Sequence, residues 1–165
     1  MTADEILYIL AARCSVSEQC LSDMEAKLSR YDLTEEERTA ILRRLVEEKF
    51  VDDSRFAEAF VRDKYRFNKW GRIKIAHGLR MKGIDSHTIS GAMQAIDEKE
   101  YLGILRDLLH GKRKSIRGKN EYEVNAKLCR FAAGRGFEFA AIRQCLGDAD
   151  MDEDEFADTD CEDWD

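Results

Sequence analysis

Apolar residues recur at spacings of three and four along almost the whole chain, the period of a helix with one buried face. Alternating strand patterns are absent, as are the Asn-Gly and Asp-Gly pairs that mark hairpins. Proline is missing altogether, where average usage would supply roughly eight residues, so little interrupts a helix anywhere. The fold class this predicts is all-α.

The apolar pattern also repeats. Ile6, Ile9 and Leu10 overlay Phe56, Ala59 and Phe60 at an offset of 50, and these overlay Tyr101, Ile104 and Leu105 at 45. A second register joins Leu28 to Leu79 and then to Ala132. In the last two copies it runs into a basic-Gly-apolar turn, Lys82-Gly83-Ile84 and Arg135-Gly136-Phe137.

Capping signals divide each copy into three helices. Thr2 with Glu5, Ser15 with Glu18 and Thr34 with Glu37 read as capping boxes, in which each side chain takes up a free amide at the helix start. Asp53, Asn68 and Asp85 or Ser86 are the expected starts in the second copy, Asp97 and Asn120 in the third. Gly83, Gly136 and Gly147 suit the left-handed position that ends a helix. The expected architecture is about nine helices in three tandem three-helix units, at 1–51, 52–96 and 97–147. They should stack into an elongated, curved array, because a unit of ~50 residues buries little core alone.

The net charge of −7 conceals a division. Residues 148–165 hold 11 Asp and Glu and no Lys or Arg, and the rest of the chain carries +4. Such a tail is expected to be disordered. Within the body, residues 50–84 carry a net +5 and residues 106–147 a net +6.

In the helix starting near Asp53, Phe56, Phe60 and Phe67 form one stripe, and Arg55, Arg62, Arg66 and Lys69 an adjacent one. An unpaired buried arginine is costly, so the aromatics should take the core and the cations face outward, with few acidic neighbours. Arg72 and Lys74 flank the apolar set of the next helix, which Trp70 opens. The run from Lys112 to Lys119 holds five cations in eight residues, Lys112, Arg113, Lys114, Arg117 and Lys119, a dense site for phosphate or acidic protein. Those ten positions, Arg55 to Arg117 without Lys119, are the candidate partner-binding residues.

Catalytic chemistry is not written in the chain. Phosphate-loop and dinucleotide glycine motifs are absent, and Asp52-Asp53 is better explained as a helix cap than as an acid–base pair. Five cysteines (Cys14, Cys20, Cys129, Cys145 and Cys161) form no Cys-x-x-Cys pair, which suits reduced thiols of a cytoplasmic protein and implies no metal or cofactor. No apolar run approaches the ~20 residues of a membrane span. The N-terminus, polar and acidic, is unlike a secretory signal.

Phe50 to Val61, an aromatic-apolar-Asp-Asp-x-x-Phe-Ala-x-x-Phe-Val run, resembles the signature of the RecX family, regulators of the RecA recombinase. Trp70-Gly71-Arg72-Ile73-Lys74-Ile75 with Leu79 and Lys82-Gly83-Ile84 resembles its second half. The resemblance implies a non-enzymatic protein that lies along the RecA filament on single-stranded DNA. It further implies restraint of strand exchange, ATP hydrolysis and co-protease activity, and so a part in DNA repair, recombination and the SOS response. A monomer with weak direct DNA contact is the corresponding partner expectation. Residues alone leave two rivals, a free-standing binder of single-stranded nucleic acid and a helical adaptor for an unrelated acidic protein.

Overall fold

The computed structural model describes residues 1–147, and every regular element among them is an α-helix. In chain order these are α1 Ala3–Val16, α2 Leu21–Leu28, α3 Glu35–Glu47, α4 Asp53–Arg66, α5 Arg72–Met81, α6 Ser86–Met93, α7 Glu98–Arg113, α8 Glu121–Gly134 and α9 Phe139–Leu146. The acidic tail at 148–165, and the disorder expected of it, lie outside the described residues.

Several helix starts follow local rules. Thr2 and Glu5 close a reciprocal box at α1, and Thr34 and Glu37 another at α3. Asp85 Oδ1 accepts the Thr88 amide at 2.7 Å before α6, Asp97 the Lys99 amide before α7, and Asn120 the Glu123 amide before α8.

Two expected starts are wrong, those at Ser15 and Asn68, each because partners distant in sequence take up the first amides of the next helix. Ser15 forms no box with Glu18: its hydroxyl donates to the Ala12 carbonyl inside α1. Helix α2 begins at Leu21, whose amide donates to Asp53 Oδ1 at 2.9 Å. With Asp53 so engaged, Asp52 caps α4 by accepting the Arg55 amide. Asn68 caps nothing on α5, which starts at Arg72 behind Gly71.

The described residues form two compact units. One comprises Met1–Phe60 with Leu79–Ala92, the other Val61–Gly78 with the residues from Met93 on, and the division falls within α4 and α5. In the first unit α1 and α2 pack on α3 around Ile6, Leu10, Met24, Leu28, Ile41, Leu45 and Val51. In the second, α7, α8 and α9 pack together, and Val61, Tyr65, Ile75, Tyr101, Leu105, Leu128, Ala132, Phe137 and Ile142 are buried. Apolar burial of this kind is what stabilises helices too short to persist alone.

The aromatic stripe of α4 is not the core stripe. Ala57, Val61 and Tyr65 are the buried positions, Phe56 and Phe60 are half-buried with ring centroids 5.8 Å apart, and Phe67 is 78% exposed. Ala57 and Val61 stand 51 residues after the buried Ile6 and Leu10, the same offset that joins the buried Leu28 and Leu79. The buried positions thus repeat at 51, one residue more than the offset of 50 that the apolar pattern gives.

Candidate functional site

The corner between α4 and α5 gathers most of the chemistry of the second unit. Lys69 adopts a left-handed conformation (φ 58°), and the Trp70 amide closes the end of α4 on the Lys64 carbonyl at 3.0 Å. Helix α5 then begins with its free amides spent on tertiary partners. Arg72 N–H donates to Tyr101 Oη at 2.9 Å and Ile73 N–H to the Gly136 carbonyl at 2.9 Å, while Gly71 N–H donates to the Arg135 carbonyl at 2.9 Å.

That docking is locked by a part-buried network. Tyr101 Oη donates to the Glu138 carboxylate, and the Arg72 guanidinium reaches Glu138 at 2.8 Å, pairs with Glu98 and lies 4.2 Å over the Tyr101 ring. Burial, then the Glu138 charge, pushes the Tyr101 phenol well above its ordinary value. Burial alone would lower Arg72, but its two carboxylate partners hold it net higher. Nothing in this network is positioned to activate a nucleophile; it fixes one helix end against another.

The ten sequence-predicted binding residues separate into two groups. Arg55 pairs with Glu18 at 2.7 Å and donates to the carbonyls of Lys49 and Phe50. Arg66 grips Glu100 at 2.6 and 3.3 Å, Arg72 is held as above, and Arg113 reaches Glu121 at 3.3 Å and the buried Asn125 at 3.0 Å. The expected stripe of cations with few acidic neighbours is therefore corrected: folding brings an acid from elsewhere in the chain to Arg55 and to Arg66. Arg62, Lys69, Lys74, Lys112, Lys114 and Arg117 form no ion pair among the described residues.

Two of that second group converge. Lys69 and Lys112 line a surface groove of about 350 Å³ with Asp107, Leu108, Gly111, Ser115 and Phe131, and Lys112 Nζ stands 5.1 Å over the Phe131 ring. Close to Lys69, Trp70 is flanked by Lys64 Nζ at 4.7 Å and Lys74 Nζ at 4.5 Å. Burial first, and then the charges of Arg135 and Lys64, push Lys74 below the usual lysine range.

Arg135 belongs to this corner and was read from sequence only as part of a turn. Its guanidinium donates to the carbonyls of Lys69, at 3.1 Å, and Asn68. The recurrence of a base before glycine was the signal available for it. The counterpart Lys82 bonds Asp23 at 2.9 Å and accepts from Ser22 on its carbonyl at 2.6 Å. Among the described residues, no three His, Cys, Asp or Glu side chains group as metal ligands, and no helix is long and apolar enough to cross a membrane.

Comparison with known proteins matches two stretches of the chain to family profiles. Residues 52–93 match the RecX second three-helix domain, and residues 98–146 its third. The regulatory protein RecX of Clostridium acetobutylicum is 27% identical over 150 residues, covering 87% of this chain and 69% of its own. That of Mycolicibacterium smegmatis is 28% identical over 120 residues, covering 70% and 64%. The crystal structure of RecX from Lactobacillus salivarius superposes with a TM-score of 0.78 at 20% identity, over 87% of this chain and 94% of that one. A second crystal structure, of a regulatory protein RecX, gives 0.77 at 22%, over 87% and 72%. With profiles spanning more than half its length and the same all-helical fold, the chain belongs to the RecX family.

Proposed function

We propose that the chain is a non-enzymatic regulator that binds the RecA filament on single-stranded DNA and restrains strand exchange, ATP hydrolysis and co-protease activity. The observation that carries this reading is the family match across both three-helix domains. The three-unit division at 1–51, 52–96 and 97–147 is part of the same proposal, each unit meeting a successive stretch of filament. The protein acts as a cytoplasmic monomer on this reading.

The charge arrangement supports an acidic partner and narrows the contact. Cations already neutralised by Glu18, Glu98, Glu100 and Glu138 have little left to offer, whereas Arg62, Lys69, Lys112, Lys114 and Arg117 keep their charge for a ligand. Free-standing recognition of single-stranded nucleic acid by base stacking is less well supported, since two ammonium groups already engage the Trp70 ring.

The test is RecA ATPase and strand exchange on single-stranded DNA, titrated with the full chain. Inhibition at concentrations far below those that shift bare DNA supports the proposal, and Lys114→Glu with Arg117→Glu should raise the inhibitory concentration about tenfold. Inhibition only where bare DNA is saturated would replace it with the nucleic-acid reading. No effect at any concentration would leave the adaptor.

A further inference from the structure

The side chains lining the groove beside α7 and α8 take no part in the Tyr101–Glu138–Arg72 network, and their chemistry is mixed. Two ammonium groups, Lys69 and Lys112, face one carboxylate, Asp107, over an apolar floor of Leu108 and Phe131. Lys112 sits on the Phe131 ring, so the floor and the charge are presented together. A ligand matching this surface carries negative charge with an aromatic or apolar side chain between the acids. Phosphate or sulfate alone would leave the apolar floor unused.

One segment of this chain has that composition. Residues 152–165 hold nine acids, and among them stand Phe156, between Glu155 and Asp158, and Trp164, between Asp163 and Asp165. Length is no obstacle. From Gly147 to Trp164 the chain can extend roughly 55–60 Å at ~3.3–3.6 Å per residue. A compact unit of this size has a radius of gyration of only about 11 Å. The last described helix, α9, packs on α7 and α8, so the tail departs from the unit that carries the groove.

We propose that the acidic segment 152–165 docks in the Lys69–Lys112–Phe131 groove of its own chain, its carboxylates on the two lysines and an aromatic ring against Phe131. A tether of this length gives an effective concentration in the millimolar range, so a contact with a dissociation constant near ~1 mM is about half occupied. The contact is electrostatic in part, and salt should release it as the screening length falls from about 30 Å at 0.01 M to 3 Å at 1 M. The docking stands without reference to RecA. Only its consequence, competition with an acidic partner for Lys69 and Lys112, rests on the function proposed above.

The experiment uses the full chain with 5-fluorotryptophan at both tryptophans, Trp164 being assigned by Trp164→Phe. At low ionic strength the Trp164 fluorine resonance should differ from that of a synthetic peptide of residues 148–165. It should move to the peptide position as salt rises, and should already lie there in Lys69→Glu/Lys112→Glu. Lys114→Glu/Arg117→Glu should leave it displaced. Coincidence with the peptide at low salt overturns the proposal. So does a displaced resonance that ignores reversal of Lys69 and Lys112, and so does one that vanishes on tenfold dilution, which assigns the groove to a second copy of the chain. Circular dichroism melting of each variant guards against unfolding, and the salt titration of the unmodified protein needs no variant at all.

Discussion

Two turns in this protein are written alike and used differently. Lys82-Gly83-Ile84 ends α5 in the first unit and Arg135-Gly136-Phe137 ends α8 in the second. In each the glycine is left-handed, at φ 76° and 94°. Its amide and that of the next residue return to the last turn, Gly83 to Arg80 and Ile84 to Leu79, Gly136 to Ala133 and Phe137 to Ala132. A Cβ on Gly83 would meet only the Ser22 Cβ at 4.0 Å, whereas one on Gly136 would lie 2.3 Å from the Lys74 Cβ and 2.6 Å from the Lys74 amide nitrogen. The first glycine answers to its own backbone angle. The second answers to a helix it touches, because the start of α5 is docked against that turn. The same local code thus serves a plain helix stop in one place and an inter-helix lock in the other.

The largest effect should come from alanine at the lock. Gly136→Ala adds the strain of a left-handed alanine to overlap with backbone that cannot step aside, and should cost more than ~4 kcal/mol. Gly71→Ala should match it, since its Cβ would lie 2.2 Å from the Phe137 amide nitrogen and 2.3 Å from the Gly136 carbonyl. Against a total stability of ~5–15 kcal/mol, either change should leave the second unit marginal or unfolded in urea melts. A loss below ~1 kcal/mol at Gly136 would show that the two turns are equivalent after all.

The lock also has a pH signature. Tyr101 is held neutral in the fold, by burial first and then by Glu138, and burial pushes the Cys129 thiol up to about 11. Both groups have folded values above their unfolded ones. Their stabilisation is therefore complete below pH ~9–10 and is lost as pH rises from the unfolded values toward the folded ones. The slope should approach ~1.4 kcal/mol per pH unit for each group ionised only in the unfolded chain. Urea midpoints from pH 8 to 11 should fall steeply in the wild type and less so in Tyr101→Phe. That variant starts lower, because Glu138 and the Arg72 amide lose their partner. Parallel profiles would separate Tyr101 from the alkaline loss.

Much of this organisation was legible in sequence, and what was not has a common cause. Thr2 with Glu5 and Thr34 with Glu37 were readable because each box closes within one helical turn. Ser15 with Glu18 is written the same way and fails, because Asp53 caps the next helix from 32 residues away and Glu18 belongs to Arg55. Phe67 reads as core by size and spacing, yet Tyr65 takes the buried position and leaves Phe67 exposed. At the candidate surface, charge density found Lys69 and Lys112 separately, but only packing sets them in one groove, and only packing removes Arg55, Arg66, Arg72 and Arg113 by pairing. Periodicity and composition report a residue's own preferences, and these outcomes depend on partners distant in the chain.

At the open turn the expected effect is smaller. Gly83→Ala meets no overlap, so it should cost only the ~1–2 kcal/mol of placing an L-residue in the left-handed region. Gly83→Asn should recover part of that, since asparagine tolerates this conformation. A cost equal to that of Gly136→Ala would mean the first unit hides a contact comparable with the one at Lys74.

The finest test carries the same contrast to two arginines one turn apart on α4. Arg62 and Arg66 occupy the same stripe, but only Arg66 finds a carboxylate, Glu100, and the hydrogen bond and charge of Arg66 hold that acid below its ordinary value. Arg62→Gln should leave the melting temperature unchanged at any pH and act, if the proposed function holds, on partner binding alone. Arg66→Gln should lower the melting temperature slightly near neutrality, the pair being largely solvent-exposed and screened. The sign of its pH dependence follows from Glu100. A carboxylate depressed in the fold contributes stability above its unfolded value, near ~4.3, and loses it as pH falls through the folded one. The gap between wild type and Arg66→Gln should therefore close in acid, while Arg62→Gln tracks the wild type throughout. Identical behaviour of the two variants, at neutral pH and in acid, would mean that the Glu100 pair contributes nothing and that both arginines are free for a partner.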